Sequence, residues 1–225
     1  DKNFTVACEQ IQSTVCQHVL SKMEGICVSV HEKMNFETKQ AIKKALIQDV
    51  EEVGFERVTV KKLALAAQIN RGTFYLHYAD KYAVMEDLQH ELLLELERYV
   101  KHVQPVDAFQ TLKMGQLYQP FINVIACIKE HAPAFRMLLG EQGSPGFTQK
   151  MKTIFGNHIL DRLSVIREEV QDPEFQQYLQ AFIASAILGV IQEWLDKGNE
   201  NLTVDEMVTL HFRLLRFLGN VVANT

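Results

Sequence analysis

The chain has 225 residues, of which 47% are hydrophobic and 23% charged, and its formal net charge at pH 7 is −5. This length accommodates one or two domains with a sizeable buried core, and the composition is typical of a soluble globular protein. No apolar run approaches the roughly 20 residues that span a bilayer, and the first residues lack the basic and apolar segments of a secretory signal. These features argue against a membrane or secreted protein and predict a cytoplasmic one.

Residues 1–34 allow two interpretations. They form an extension without function ahead of a natural start at Met34, or they contain an additional helix. The second interpretation rests on apolar residues that recur at three- and four-residue steps from Phe4 to Val30, although Gly25 weakens the case for one unbroken helix. Both interpretations remain open at the level of sequence.

The following segment predicts a long helix and then a short one. Apolar residues at helical spacing indicate a helix over Thr38–Val53, which Gly54 ends as a C-cap. Thr59 is a suitable N-cap, because its hydroxyl can accept a hydrogen bond from an unpaired backbone N–H of a helix over Val60–Ala67.

A tight turn and a second short helix come next. Gln68, Ile69 and Asn70 make the turn, and the helix spans Arg71–Tyr78. Phe74 and the final tyrosine of this helix are apolar enough to pack inward, while its other side chains are polar. The two short helices and their turn predict a helix-turn-helix.

The rest of the chain predicts further helices and no sheet. Asp80 is a suitable N-cap for a long helix over Lys81–Val103, which Pro105 closes. A loop at 140–146 is rich in glycine. The segment 182–195 is apolar on nearly all sides and should be largely buried. The remaining predicted helices cover 107–117, 120–130, 132–139, 147–170, 174–197 and 203–222.

The helix-turn-helix resembles one family closely. The pattern T-x-x-x-L-A from Thr59, followed by N-x-G-T-F-Y-x-H-Y-x-x-K from Asn70, is similar to the tetracycline-repressor (TetR) family of transcriptional regulators, most strongly over 38–88. The resemblance implies an all-α fold, with an N-terminal three-helix DNA-binding domain at 35–81 and a larger helical ligand-binding and dimerisation domain at 82–225. The later pattern L-L-G-E-x-G-x-P-x-F and G-V-I-x-x-W-L looks like a C-terminal domain type common among Firmicutes regulators.

The predicted DNA contacts lie on and beside the second short helix. Lys61 and Arg71 are assigned to base reading, since a guanidinium fork can reach guanine O6 and N7. Gly72 lets the backbone approach the DNA because it has no side chain. The family positions assigned to phosphate contacts are Thr73, Tyr75, His77 and Lys81.

The charge distribution supports a reversible DNA contact. The segment 35–81 has eight Lys or Arg and six Asp or Glu, a net charge of +2, which leaves −7 for the remainder. A locally basic face on an acidic protein suits salt-sensitive, reversible binding of DNA.

The resemblance also implies a homodimer on a palindromic operator and a small hydrophobic or amphipathic effector. Repression is the family default. The alternatives are an activator controlled by a protein partner, and a sensor that has lost DNA binding. Each candidate for an effector pocket has simple core packing as its other interpretation. These candidates are Met114, Tyr118, Phe121, Phe135, Phe155, His158 and Trp194.

The sequence predicts neither an enzyme nor a metal protein, and no cofactor. It contains no nucleophile–base set and no glycine-rich phosphate loop. Cys127 and His131 are one helical turn apart, but two ligands are too few for a zinc site, so we expect a free thiol and a surface histidine. The other cysteines are Cys8, Cys16 and Cys27, and none forms a C-x-x-C pair.

Overall fold

The computed structural model describes residues 30–140, 143–163, 172–196 and 202–223, and these residues form ten α-helices and no strand. The predicted all-α fold is therefore confirmed. The helices are α1 Val30–Val53, α2 Val60–Ala66, α3 Arg71–His77, α4 Lys81–Val100, α5 Pro105–Lys113, α6 Gln119–Glu130, α7 Ala132–Leu139, α8 Pro145–Leu163, α9 Pro173–Asp196 and α10 Val204–Ala223.

The first helix is longer than the sequence predicts. It begins at Val30 and therefore crosses the predicted boundary between residues 34 and 35. Its end is where the sequence places it, because Gly54 has a positive φ of 78° and its N–H bonds to the carbonyl of Val50. The predictions for residues 1–29, including Cys8, Cys16 and Cys27, lie outside the described residues.

The helices α1, α2 and α3 form the N-terminal helix-turn-helix unit, which confirms that part of the predicted fold. The helix α1 packs on α2 and α3, and a 3₁₀ turn at Phe55–Arg57 joins α1 to α2. The same helix also packs on α4 and on α7. The helix-turn-helix unit thus contacts the C-terminal part of the chain at two places.

The long helix α4 is shared by both parts of the fold. It packs on α1 on one side and on α6 and α8 on the other. The helix α6 packs in turn on α10, and α8 packs on α9. A continuous set of buried apolar side chains runs from Ile42 of α1 to Phe212 of α10. A displacement of α4 would therefore change the packing of both the helix-turn-helix unit and the C-terminal helices.

The helix α9 has two apolar sides with different environments. Its inner side, which includes Leu188 and Ile191, is buried against α7 and α8. Its outer side exposes Phe175, Tyr178 and Phe182. By length and composition alone, α9 is the one helix in the described ranges that could cross a membrane. A core helix of a soluble protein meets the same two criteria, and the inner side of α9 is packed as such a helix.

One histidine is buried in the apolar core between α6 and α10. The side chain of His211 is 5% exposed, its ring centroid lies 5.0 Å from that of Phe121, and its Nδ1 has no hydrogen-bond partner. Burial penalises the charged imidazolium and lowers the pKa of His211 to about 4. The side chain is therefore neutral in the native protein near pH 7.

We expect His211 to make the protein sensitive to mild acid. An unfolded histidine has a pKa of about 6.5, so between that pH and pH 4 the unfolded chain binds a proton that the native chain does not. The free energy of unfolding is thus unaffected by this group above pH 6.5 and falls as the pH is lowered. From pH 7 to pH 5 the loss from this one residue is about 2 kcal/mol.

Urea unfolding at both pH values and at fixed protein concentration measures this loss. The variant His211→Leu should show a drop smaller by about 2 kcal/mol than that of the unmodified protein. The control His90→Leu removes an exposed histidine of α4 and should keep the full drop. Equal pH dependence of His211→Leu and the unmodified protein would contradict the prediction.

Candidate nucleic-acid interface

Three polar side chains set where the helices of the motif begin. Thr59 Oγ1 accepts a hydrogen bond from Lys62 N at 3.3 Å, which confirms the predicted cap of α2. Asp80 Oδ1 accepts one from Ala83 N at 2.9 Å and caps α4 as predicted. The cap of α3 is Asn70, a residue that the sequence places only in the turn.

The turn between α2 and α3 holds one residue in an unfavourable conformation. Gln68 has a φ of 58°, in the left-handed region that costs a residue with a side chain about 1–2 kcal/mol. The backbone N–H of the next residue, Ile69, bonds to Ala64 O at 2.9 Å, and its side chain packs against the core. These contacts offset the strain and fix the direction in which α3 leaves the turn.

The cap of α3 explains why a glycine follows it by two residues. Asn70 Oδ1 accepts from Thr73 N at 2.8 Å. A Cβ added at Gly72 would lie 3.1 Å from that same oxygen, closer than most Cβ contacts. The glycine therefore protects the cap and also keeps the outer surface of α3 open near its start.

The inner side of α3 is packed and its outer side is free. Phe74 is fully buried and Tyr78, its C-cap, is also buried, as predicted. Arg71 and Tyr75 lie on the outer side, where Arg71 Nη2 donates to Tyr75 Oη at 3.3 Å. The guanidinium carbon also lies 5.9 Å from the centre of the tyrosine ring. This contact holds the two side chains together along one edge of the outer surface.

The remaining predicted DNA contacts differ in how free they are. Lys61 is exposed on α2, and Thr73 and His77 are half-buried on α3. Within the motif, Lys61 and Arg71 are exposed and form no ion pair with a carboxylate of the described residues, whereas Lys62 Nζ lies 3.4 Å from Asp49 Oδ1. The unpaired positive charge of the motif is thus concentrated on the two residues that are assigned to base reading.

Lys81 has partners that its sequence context does not reveal. Its ammonium donates to the carbonyl oxygens of Phe55 and Glu56, both at 2.9 Å, and lies over the rings of Phe55 and Tyr82 at 4.8 and 5.4 Å. An ammonium has three N–H donors, so one stays available. Lys81 holds the 3₁₀ turn against α4, and its phosphate contact remains a prediction that uses the third donor.

A cluster of charges ties the end of α3 to α4 and α1. Tyr78 Oη donates to Asp87 Oδ2 at 2.6 Å, and Lys43 Nζ lies 2.9 Å from the same oxygen. Lys43 also bonds to Glu91, whose other oxygen accepts from Gln40 Nε2 at 2.9 Å. The side chain of Lys43 is only 6% exposed, so its charge depends on these carboxylates. We call these five residues the α1–α4 polar cluster.

The cluster shifts the ionisation of two of its members. Burial, and then the hydrogen bond to Asp87, raise the pKa of Tyr78 well above its usual value. Burial alone would also raise the pKa of Asp87, but the hydrogen bonds from Tyr78 and Lys43 outweigh it and hold that pKa below its usual value. Tyr78 is therefore a neutral donor and Asp87 a charged acceptor at neutral pH.

The predicted pocket residues do not share one environment. Tyr118, Phe121, Phe135, Phe155 and Trp194 are all buried. Their contacts differ. The Oη of Tyr118 accepts a hydrogen bond from Gln104 N at 2.9 Å. The ring of Phe121 packs on His211, and that of Phe135 packs on Phe147.

Two pocket candidates are not buried core residues. His158 is half-buried, with Nε2 3.0 Å from Val103 O. Met114 is 68% exposed, so its placement in the core is wrong. The physical reason is that α5 ends at Lys113 and the chain turns through Gly115, whose φ is +73°. Met114 therefore belongs to a surface turn, not to the helix that the sequence extends to residue 117.

Sequence reasoning missed one buried polar residue of this region. His211 has an unpaired Nδ1 beside Phe121. The only signal in the sequence is a histidine at helical spacing from the apolar residues Met207 and Val208, and a surface histidine can give the same signal. Its burial comes from the packing of α10 on α6.

The pair Cys127 and His131 has an ordinary structural role. The thiol is buried, and burial, followed by the charges of Glu95 and Glu130, raises the pKa of Cys127 to about 12. His131 is half-buried instead of at the surface. Its Nε2 lies 2.9 Å from Glu95 Oε2 without the alignment of a hydrogen bond. Within the described ranges, no group of three or more His, Cys, Asp or Glu is placed to hold a metal ion.

Two family models match this chain, one over the helix-turn-helix and one over the C-terminal helices. Residues 47–88 match the family described as "Bacterial regulatory proteins, tetR family". Residues 115–216 match "Transcriptional regulator C-terminal region" of the same family series. The chain belongs to the TetR family of transcriptional regulators. The first match contains the helix-turn-helix, and the second contains the helices from α6 to most of α10.

Individual relatives are more distant. The chain is 25% identical over 122 residues to an uncharacterised helix-turn-helix transcriptional regulator, YxbF, of Bacillus subtilis strain 168. That match covers 53% of this chain but only 30% of the relative, so the chain spans about a third of the length of that protein.

Two solved structures share the fold. A TetR-family regulator from Syntrophomonas wolfei strain Goettingen has a TM-score of 0.56 and 16% identity, over 82% of this chain and 95% of the other. The dihydroxyacetone kinase operon activator DhaS has a TM-score of 0.50 and 14% identity, over 83% of this chain and 96% of the other. At these identities the likeness establishes the fold alone.

The α1–α4 polar cluster leads to a stability prediction. Lys43→Ala leaves Glu91 without its cation and leaves Asp87 with only the more distant ammonium of Lys39, 3.9 Å from Oδ2. We expect the free energy of unfolding to fall by about 1–3 kcal/mol, the usual cost of stranding charged hydrogen-bonding groups. Urea or thermal unfolding at fixed protein concentration measures the change.

The adjacent residue offers a matched control. Lys44 is exposed on the same helix, and Lys44→Ala should change the free energy of unfolding by no more than about 0.5 kcal/mol. Similar losses of unfolding free energy in both variants would show that the ion pairs of Lys43 contribute no more to stability than an exposed lysine does.

Proposed function

We propose that the chain represses transcription by binding a palindromic operator as a homodimer, and that a small effector releases it. The observation that supports this most directly is the outer side of α3, which carries Arg71, Gly72 and Tyr75 and takes no part in the core. We keep 35–81 as the DNA-binding domain and 82–225 as the regulatory domain. Because a regulator acts on chromosomal DNA, we propose the cytoplasm as its location.

In the proposed complex α3 lies in the major groove. Lys61 and Arg71 read bases, because they are the free cations of the motif. Gly72 allows close approach of the backbone. The residues that position the helix on the phosphates are Thr73, Tyr75, His77 and Lys81.

The dimer interface that we propose is the outer side of α9. Phe175, Tyr178 and Phe182 follow one another at steps of three and four residues, and the last two are 68% and 65% exposed. Further along the same side, a Cβ added to Gly189 would meet no described side chain beyond its two chain neighbours and no backbone of another described helix within 4 Å. A glycine that its own subunit does not require permits close approach of a second helix.

We include a second exposed apolar pair, on α10, in the proposed interface. Leu214 and Phe217 of α10 are exposed one helical turn apart. Together, α9 and α10 of two subunits would form a four-helix bundle. The two-fold axis of such a dimer requires operator half-sites about 34–36 Å apart, or a multiple of that distance.

The effector is proposed to act on α4. This helix packs on α6 and α8 and is joined to the end of α3 by the hydrogen bond from Tyr78 to Asp87. A ligand with higher affinity for a shifted arrangement of α4 would draw the protein away from its DNA-bound state. Two of the buried polar atoms that lack hydrogen-bond partners, His211 Nδ1 and Trp194 Nε1, would suit a mostly apolar ligand with one or two polar atoms.

A protein-partnered activator is the second candidate function. One structure with this fold is described as an operon activator. If this candidate holds, a partner protein and not a small molecule will change DNA binding, and expression of the regulated genes will fall when the chain is deleted. A sensor without DNA binding is disfavoured because the outer side of α3 keeps its polar groups free.

The DNA-binding proposal is tested with an operator that the 225-residue chain selects from random duplexes. We expect affinity to fall linearly with salt on logarithmic axes. Arg71→Ala should cost about 1–3 kcal/mol on the operator and relax the preference at one base pair of each half-site. Lys81→Ala should weaken operator and random DNA alike. No selected palindrome, or salt-independent binding, would overturn the proposal. Equal losses of Arg71→Ala on operator and random DNA would remove its base-reading role.

The dimer proposal has its own test. Tyr178→Glu and Phe182→Glu place charges in the proposed interface, so sedimentation should show a monomer at concentrations where the unmodified protein is a dimer. Both variants should then lose operator affinity, because one half-site alone binds weakly. Gln177→Glu changes an exposed residue of α9 that lies beside the row formed by Phe175, Tyr178 and Phe182, and this variant should remain dimeric. Dimeric Phe182→Glu and Tyr178→Glu would place the interface elsewhere.

A further inference from the structure

An exposed leucine occupies the middle of the outer side of α3. Leu76 is 83% exposed, the highest value among the exposed large hydrophobic residues of the described chain. Single exposed apolar residues are common on protein surfaces, so exposure alone has no functional meaning. The position of Leu76 on this helix is what distinguishes it.

The geometry of the helix places Leu76 opposite the core. Successive residues are rotated by about 100° around an α-helix, so with Phe74 pointing inward, Gly72 and Leu76 lie on the opposite side. Gly72 has no side chain. Leu76 is therefore the side chain at the centre of the outer side of α3, and Arg71 and Tyr75 lie along one edge of that side.

The chemistry of this position is restrictive. An aliphatic side chain offers no hydrogen bond to a phosphate or to the polar edge of a base. In the major groove the apolar group of a base pair is the C5-methyl of thymine. Burying Leu76 against any other part of a base edge would remove water from polar atoms without replacing their hydrogen bonds.

We propose that Leu76 reads the 5-methyl group of a thymine in each operator half-site. This assignment rests on the proposed binding of DNA by α3. It adds a specificity determinant that acts by removing apolar surface from water, beside the hydrogen-bonding contact of Arg71. Operators should therefore hold a thymine at one symmetric position that Arg71 does not select.

The expected effect follows from the size of one methyl group. Burial of one methyl corresponds to about fourfold in affinity, so removal from both half-sites of a dimeric complex corresponds to about 15-fold. The effect should be nearly independent of salt, because no charge is involved.

The experiment replaces thymine by uracil in the selected operator. Uracil keeps every hydrogen-bonding group and lacks only the 5-methyl. Each symmetric pair of thymines is replaced in turn, and affinities are measured for the unmodified protein and for Leu76→Ala. At one pair of positions the unmodified protein should lose about 15-fold, whereas Leu76→Ala should lose less than about twofold for the same change.

The chain contains a matched control. Leu65 is 77% exposed on α2, and Leu65→Ala removes the same atoms from the other helix of the motif. This variant should keep the full uracil penalty. Leu76→Met, which keeps an apolar side chain of similar length, should keep most of it and shows that a loss in Leu76→Ala does not reflect misfolding.

Two results would overturn the assignment while DNA binding by the proposed function stands. One is salt-dependent operator binding with no uracil penalty at any thymine. The other is a penalty that persists undiminished in Leu76→Ala, which would mean that another residue reads the methyl group. Failure of the unmodified protein to bind any operator would overturn both this assignment and the proposed function.

Discussion

The hydrogen bond from Tyr78 to Asp87 connects α3 to the rest of the protein. The helix α3 has only seven residues, and a helix of that length is not stable in isolation. Burial of Phe74 holds its inner side, and the 2.6 Å bond from Tyr78 holds its end against α4. The direction in which α3 presents its outer side therefore depends on the position of Asp87.

The α1–α4 polar cluster opposes the separation of α1 from α4. Lys43 is almost fully buried and is held by two carboxylates of α4. Moving α1 away from α4 would leave a buried ammonium without partners, which is expensive in free energy. We therefore expect α1, α3 and α4 to move as one unit. The packing of α1 on α7 gives the C-terminal part of the chain a second contact with this unit.

Local features of the motif were predictable from sequence because they depend on neighbouring residues. The cap by Thr59, the inward Phe74 and Tyr78, and the cap by Asp80 involve partners within four residues or a helical period. Met114 was misplaced because the end of α5 is set by a left-handed glycine, not by hydrophobic spacing. Leu76 is an unassigned position in the family pattern, and its prominence appears only when the exposed side of α3 is known.

The sequence by itself determined the all-α fold, the location of the helix-turn-helix and the polar residues of its second helix. Helical periodicity and capping involve residues that are close together in the chain, so the sequence alone predicts them. Only the tertiary structure decided which cations are free. Lys43 is paired with carboxylates 44 and 48 positions away, and Lys81 with carbonyl oxygens 26 and 25 positions away. The burial of His211 likewise depends on packing between distant helices. Such long-range contacts distinguish the exposed cations Lys61 and Arg71 from Lys43 and Lys81, whose ammonium groups also hold parts of the fold together.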